Sequence, residues 1–138
     1  MKVNVNWKHG MSFGGGNDEH TVKIDVPEAS GGSNTGMSPK QLLLVSVCSC
    51  TGMDVVDMLE KMRVPFTRLE ISAEAEQTEE HPKVLKYINL TYSTDVSPVN
   101  EDKLNRAIEL SQTKYCGVSI MLKKHCPVNY KVELLQPA

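Results

Sequence analysis

The strongest constraint on the fold is one long helix in the first half of the chain. It is predicted to begin at Ser38-Pro39, where the serine acts as N-cap and the proline takes the first helical position, and Gln41 closes a capping box. Residues 42–47 are then almost entirely apolar, so this half of the helix should be covered on all sides. One small sheet cannot do that. The helix is expected to end before Pro65.

Beyond Cys50 the same helix becomes amphipathic. Asp54, Asp57 and Lys61 fall at helical spacing and form one polar stripe. No stretch therefore approaches the roughly 20 apolar residues of a membrane span, and the alternating N-terminal residues do not form the apolar region of a signal peptide. We expect a cytoplasmic protein without a membrane partner.

The rest of the chain alternates between strand-like and helical patterns. Residues 2–7 and 20–26 have the period of half-buried strands, and the glycine-rich run 12–18 predicts a turn or a weak strand. Segments 69–75 and 84–93 predict a hairpin. After the hairpin we expect a helix opening near residue 100, a helical segment over 118–123 and a strand over 128–134.

Length and charge narrow the class of protein. A chain of 138 residues suits one ordinary domain, and the order of elements is that of an α+β fold. We therefore expect a single domain over residues 1–138. The net charge of -2 leaves no basic stripe for nucleic acid, so nucleic acid is not an expected partner.

Four cysteines in a reducing compartment each need a packing, metal or redox explanation. Cys48 and Cys50 lie about 200° apart around a helix, so they cannot bind one metal or bond to each other. Cys48 falls in the apolar half and is expected to be a small buried hydrophobe. Cys50 lies where the burial pattern changes, so it is shielded yet reachable by a small substrate. An inert core thiol is the alternative for Cys50.

Cys116 lies at the break between two helical segments. Unpaired N–H groups and the helix dipole at that break predict a lowered pKa for its thiol. A zinc site formed with His125 and Cys126 is another interpretation, but only one histidine is near in sequence and the chain has no C-x-x-C pair. We therefore expect no metal, and we expect His125 to be a surface histidine.

Two cysteine motifs carry a resemblance to a known family. They are Ser38-Pro39 followed by Leu42-Leu43-Leu44 and Cys50-Thr51-Gly52-Met53-Asp54-Val55-Val56, and later Tyr115-Cys116-Gly117-Val118-Ser119. With the order of elements over essentially the whole chain, they resemble the OsmC/Ohr family (osmotically inducible protein C and organic hydroperoxide resistance proteins), and within it the OsmC-like, YhfA-type subgroup. The resemblance implies an antiparallel sheet wrapped around long central helices in an intertwined homodimer.

The resemblance also implies an activity, that of a cysteine-based thiol peroxidase for organic hydroperoxides. Cys50 would be the peroxidatic cysteine, and Cys116 would resolve its sulfenic acid to a disulfide. An external dithiol, of lipoyl type in the family, would reduce that disulfide, with no bound cofactor. A non-catalytic OsmC-like protein that binds a small molecule or senses redox state is the alternative.

The residues that support the peroxidatic cysteine differ from the family pattern. Peroxidatic members use an arginine of the N-terminal strands and a glutamate near the start of the central helix. The arginines of this chain are Arg63, Arg68 and Arg106. At the helix start it has Lys40 and Gln41, which are therefore the expected supporting residues. The basic residues available in the N-terminal segment to replace the arginine include Lys8, His9 and Lys23.

Overall fold

The computed structural model describes residues 1–136. In chain order the elements are β1 (Asn4–His9), β2 (Ser12–Gly16), β3 (Thr21–Ile24), a short 3-10 turn (Glu28–Ser30), α1 (Pro39–Lys61), β4 (Leu69–Gln77), β5 (Leu85–Thr94), a second 3-10 turn (Pro98–Asn100), α2 (Glu101–Leu110), a π-helical turn (Ser111–Tyr115), α3 (Gly117–Lys123) and β6 (Val128–Leu134). The predicted α+β class is confirmed. The chain divides into two compact units, residues 1–44 and the residues from 45 onward. That residues 1–138 form one domain stays a prediction, and residues 137–138 lie outside the described residues.

The first unit contains an antiparallel meander of β1, β2 and β3. The glycine-rich run forms its central strand. The strands can lie close together at Gly16 because glycine has no Cβ, and a Cβ there would collide with the carbonyl oxygen of His20. The apolar side chains of β1 are not half-buried as their alternation predicted. Val5 is 56% exposed and Trp7 is 65% exposed.

A buried carboxylate organises the loop that follows β3. Asp25 accepts hydrogen bonds from the backbone N–H groups of Val26 and Thr35 at 2.7 and 3.2 Å, and from the Thr35 hydroxyl at 2.6 Å. The hydrogen bond from the Thr35 hydroxyl is the main cause that lowers the pKa of Asp25 to about 2. The carboxylate is therefore ionised at neutral pH and holds the loop between Val26 and Thr35.

The long helix has the ends that its sequence predicts. At its start the N–H of Gln41 donates to the Ser38 hydroxyl at 3.3 Å, and the N–H of Ser38 donates to the Gln41 side-chain oxygen at 2.9 Å. This is the predicted capping box. At its end Arg63 has a φ of 57°, and the N–H of Val64 donates to the Leu59 carbonyl at 2.9 Å. Such a left-handed residue followed by a long-range N–H bond is a Schellman ending.

Two properties of α1 differ from expectation. By length and composition alone it could cross a membrane, although its apolar residues do not form an uninterrupted run of about 20. The core helices of folded domains pass the same test, and the polar stripe at Asp54, Asp57 and Lys61 is typical of such a helix. Its apolar half is also incompletely covered within one chain, since Val45 is 48% exposed.

The second unit is built on the sheet β4-β5-β6. The first two strands form the predicted antiparallel hairpin, and β6 pairs with β5 in parallel. One face of β5 is buried through Ile88, Leu90, Tyr92 and Thr94. The buried residues of α1 recur once per turn and are Val47, Thr51, Val55 and Leu59. Gly52 allows α1 to approach β4, because a Cβ there would lie 2.9 Å from Ile71 Cδ1.

The predicted break after the second helix is a π-helical turn. The N–H of Cys116 donates to the Ser111 carbonyl at 2.8 Å, a spacing of five residues where an α-helix has four. The turn buries the side chains of Ser111 and Gln112, as α2 before it buries Leu104, Ala107 and Ile108. It therefore places polar groups inside the unit, next to the second cysteine.

Candidate active site

The structure brings Cys50 of α1 and Cys116 at the start of α3 together. The two side chains are close enough to interact, because Cys50 raises the pKa of the Cys116 thiol through a hydrogen bond and through its charge. Cys50 is half-buried and Cys116 is fully buried. Both are free thiols. One thiol is thus accessible and the other is shielded directly beside it.

The predicted lowering of the Cys116 pKa is wrong. Burial raises the pKa of this thiol, because a thiolate inside the protein loses its hydration. The hydroxyl and the N–H of Ser119 act in the opposite direction by hydrogen bonding to the sulfur, with the N–H 3.4 Å from it. The neighbouring Cys50 raises the pKa further through its hydrogen bond and its charge. Helix α3 begins where the sequence predicted, but desolvation raises the pKa of Cys116 by more than the helix start lowers it.

A buried row of hydroxyls runs from β5 to the polar stripe of α1. The Tyr92 hydroxyl lies 2.7 Å from Thr51 Oγ1, which in turn lies 2.7 Å from Ser111 Oγ. Ser111 then donates to Asp54 Oδ2 at 2.9 Å. Burial is the main cause that raises the pKa of Tyr92 to about 12. The phenol therefore keeps its proton at neutral pH.

Gln112 connects this row to the cysteine pair. Its Nε2 lies 3.2 Å from Thr51 Oγ1, 3.0 Å from the Tyr92 hydroxyl and 3.1 Å from Ser119 Oγ. Ser119 in turn hydrogen-bonds the Cys116 sulfur. Gln112 Oε1 is buried and has no hydrogen-bond partner within residues 1–136. The side-chain amide of Gln112 is therefore held in place by the hydrogen bonds that Nε2 donates.

Sequence reasoning missed these polar residues. Two of them had a signal, because Thr51 adjoins Cys50 and Ser119 lies one helical turn after Cys116. Ser111 and Gln112 had one as well, because they continue the helical spacing of the buried residues Leu104, Ala107 and Ile108.

An open cleft of about 360 Å³ lies between the second half of α1 and the π-helical turn, and neither Cys50 nor Cys116 is among its lining residues. Its lining comes from α1, the last residue of α2 and the π-helical turn and consists of Asp54, Asp57, Met58, Lys61, Met62, Leu110 and Tyr115. Asp54 lies one turn after Cys50 on the same helix face, and Tyr115 directly precedes Cys116. Lys61 donates to Asp57 at 2.7 Å, so charge in the cleft is partly paired and most of the remaining lining is apolar.

The other predicted residues lie apart from this contact or stay predictions. The side chain of Gln41 belongs to the capping box, and the supporting roles of Lys40 and Gln41 stay predictions. Cys48 is half-buried where full burial was expected, and burial raises the pKa of its thiol. His125 is exposed as predicted, with Nε2 2.9 Å from the Leu85 carbonyl. Within residues 1–136 no three His, Cys, Asp or Glu side chains are grouped to hold a metal.

Comparison with known proteins decides the family. The family model described as OsmC-like protein matches residues 31–131. The chain belongs to this family. The OsmC-like chain is 28% identical to Protein YhfA of Escherichia coli K12 over 136 residues, which are 98% of each chain.

Solved structures agree with the OsmC-like fold. A hypothetical protein from Aquifex aeolicus VF5 is 27% identical, with a TM-score of 0.81 over 98% of this chain and 97% of that one. An organic hydroperoxide resistance protein OsmC from Legionella pneumophila is 14% identical, with a TM-score of 0.70 over 96% of each chain. The resemblance inferred from the two cysteine motifs is confirmed as to family and fold.

Proposed function

We propose that this OsmC-like protein is a cysteine-based thiol peroxidase that reduces organic hydroperoxides. The observation that carries the proposal is the interaction between Cys50 and Cys116, two thiols from separate elements that are close enough for Cys50 to raise the pKa of Cys116. Family membership supports a redox role, and one structural relative is named for organic hydroperoxide resistance. A pair of this kind is what a reversible thiol–disulfide cycle requires.

The first step takes place at Cys50. Its thiolate attacks the terminal oxygen of the hydroperoxide, so that an S–O bond forms as the O–O bond breaks. The alkoxide that leaves takes up a proton and departs as the alcohol, and Cys50 is left as a sulfenic acid. Its half-buried position admits a small substrate from one side while the interior shields the other.

The second step uses Cys116. Its sulfur attacks the sulfur of the sulfenic acid, the S–S bond forms, and the hydroxyl group leaves with the thiol proton as water. An external dithiol, of lipoyl type by family resemblance, then reduces the disulfide by exchange and is itself oxidised to a disulfide. The raised pKa of Cys116 suits this role, because the resolving thiol stays protonated until the sulfenic acid is beside it.

The cleft provides a place for the organic part of the substrate. The side chains of Met58, Met62 and Leu110 and the ring of Tyr115 form its apolar surface, which is connected to the pair through Asp54, one turn after Cys50, and Tyr115, directly before Cys116. An apolar hydroperoxide gains from contact with such a surface, whereas hydrogen peroxide does not. Organic hydroperoxides are therefore the proposed substrate class.

A cytoplasmic homodimer is part of the proposal. Val5 and Trp7 on β1 are more than half exposed, and Val45 on α1 is 48% exposed. Exposed apolar surface of this kind is typical of an interface with another protein. A second copy that covers it would explain the apolar half of α1. Light scattering after size-exclusion chromatography measures the assembly directly.

The test is a peroxide pulse followed by peptide mapping. One equivalent of cumene hydroperoxide should remove two thiols and give a peptide in which Cys50 and Cys116 are joined. Cys50→Ser should abolish this cross-link, and Cys116→Ser should leave Cys50 as a sulfenic acid that excess peroxide oxidises further to the sulfinic acid. Cys48→Ser, a matched change on the same helix, should still form the cross-link. Loss of other thiols only, or no loss, contradicts the proposal.

The cleft also favours a second candidate, a non-catalytic protein that binds a small molecule or senses redox state. The chain has no arginine in β1, β2 or β3, where peroxidatic relatives of the resembled family hold one. A ligand that remains bound in native mass spectrometry, together with absent peroxide turnover, would favour this candidate over the peroxidase.

A further inference from the structure

The buried hydroxyl row has a fixed direction of donation. Ser111 donates its one hydroxyl hydrogen to Asp54 Oδ2 at 2.9 Å. The 2.7 Å contact between Thr51 and Ser111 must then be a donation from Thr51. The 2.7 Å contact between Tyr92 and Thr51 must likewise be a donation from Tyr92. Every hydrogen in the row therefore points towards Asp54.

This direction fixes the orientation of Gln112. Because the Tyr92 hydrogen is already used, the hydroxyl oxygen accepts from Gln112 Nε2 at 3.0 Å. The second hydrogen of that nitrogen is directed to Ser119 Oγ at 3.1 Å. A flipped amide would place Oε1 against these hydroxyls and compete for the hydrogen of Ser119. In the orientation that the hydroxyl row requires, Gln112 Oε1 is left without a hydrogen-bond partner within residues 1–136.

Ser119 therefore has one free hydrogen and one target for it. Its oxygen accepts from Gln112 at 3.1 Å, which leaves its hydroxyl hydrogen for the Cys116 sulfur, whose pKa the Ser119 side chain lowers. The backbone N–H of Ser119 lies 3.4 Å from the same sulfur. Two donors from one residue thus converge on the atom that the second step of the proposed cycle turns into a nucleophile.

We propose that Ser119 is a catalytic residue that stabilises the Cys116 thiolate as it attacks the sulfenic acid, and that Gln112 is the positioning residue that turns the Ser119 hydroxyl towards that sulfur. The inference rests on the proposed function, since it assigns these roles within the resolving step. The proton of Cys116 leaves with the hydroxyl of the sulfenic acid as water, and the S–S bond consumes the sulfur charge that Ser119 has stabilised.

The other groups that face Cys116 oppose this stabilisation or leave it unchanged. Cys50 on α1 disfavours the thiolate through its hydrogen bond and its charge, and so does burial. Tyr92 on β5 stays protonated, because burial raises its pKa to about 12. Ser119 is therefore the residue whose contacts favour the charged form of Cys116.

The test follows each thiol separately in the full-length protein. With cysteine labelled with ¹³C at Cβ, the chemical shift reports thiol and thiolate along a pH titration, and Cys116→Ser assigns the resonance. Ser119→Ala should lower the thiolate fraction of Cys116 about tenfold at a fixed pH below its midpoint, the effect of losing a hydrogen bond to a charged group. Gln112→Met, which removes the donor to Ser119 together with the contacts to Thr51 and Tyr92 but leaves Ser119 itself in place, should lower it about threefold.

Gly117→Ala serves as the matched control. The residue adjoins Cys116, and a Cβ there meets no heavy atom within 4 Å, so the titration should not change. A Ser119→Ala titration equal to that of Gly117→Ala overturns the role of Ser119, even if Gln112→Met fails to fold. An unchanged titration in folded Gln112→Met overturns the role of Gln112.

A peroxide pulse on the wild-type protein separates this inference from the proposed function. If no cross-link between Cys50 and Cys116 forms, the proposed cycle fails and the catalytic role of Ser119 fails with it, while the titrations still show whether Ser119 stabilises the thiolate. If the cross-link forms but Ser119→Ala titrates like wild type, the peroxidase stands and this inference fails.

Discussion

Replacing Thr51 by valine tests the buried polar row most directly. The two side chains have nearly the same shape, so packing on α1 is kept while one hydroxyl is lost. Ser111 keeps its bond to Asp54, and Gln112 keeps two of its three acceptors. Only the Tyr92 hydrogen loses its acceptor inside the protein. A stranded buried donor costs about 1–3 kcal/mol, and the other lost contacts add about 1 kcal/mol. We therefore expect a loss of about 2–4 kcal/mol of unfolding free energy.

Urea unfolding followed by circular dichroism measures this loss, at one protein concentration for all variants. Thr91→Val is the matched control. Thr91 is half-buried on β5 and makes no side-chain hydrogen bond within the described residues, so its replacement should change stability by less than about 0.5 kcal/mol. If Thr51→Val unfolds like Thr91→Val, the hydroxyl row contributes nothing to stability and the reasoning is refuted.

Three further predictions concern other parts of the molecule. Leu59→Ala should cost about 2–5 kcal/mol in the same urea assay, because Leu59 is fully buried on α1 and leaves a cavity. Ser38→Ala should cost about 1 kcal/mol through loss of the capping box, and an unchanged midpoint would show that α1 does not need this cap. The hydrogen bond from the Thr67 hydroxyl is the main cause that lowers the pKa of Asp95 from 3.8 to about 2. Its stabilising effect is complete above the ordinary value and is lost as the pH falls towards 2, so Asp95→Asn should flatten the acid dependence of stability over that range.

Most of the fold could be predicted because its signals are local. The capping box at Ser38, the apolar run that follows and the proline that comes after the helix all act within a few residues, and the structure has α1 where they place it. The hairpin of β4 and β5 follows from alternation in the same way. The exposure of Val5 and Trp7 could not be predicted, because alternation tells which face is apolar but not what covers it.

The candidate site was only partly predictable. The two motifs predicted that Cys50 and Cys116 are the functional cysteines. That the fold brings their side chains together depends on tertiary structure, which the motifs do not show. The direction of the Cys116 pKa was predicted wrongly because the helix start is visible in sequence whereas full burial is not. Gln112 continues the helical spacing of Leu104 and Ile108, but glutamine is a mostly exposed residue type, so its burial was not predicted.

Whether the two cysteine motifs meet depends on the exact number of residues between them. The π-helical segment Ser111–Tyr115 already holds one residue more per turn than an α-helix, whereas a single residue removed from the regular helix α2 before it would rotate everything after it by about 100°. Cys116 would then face away from Cys50 even though every residue of both motifs was still present. In this protein the length of the connecting segment is as much a part of the chemistry as the sulfur atoms it aligns.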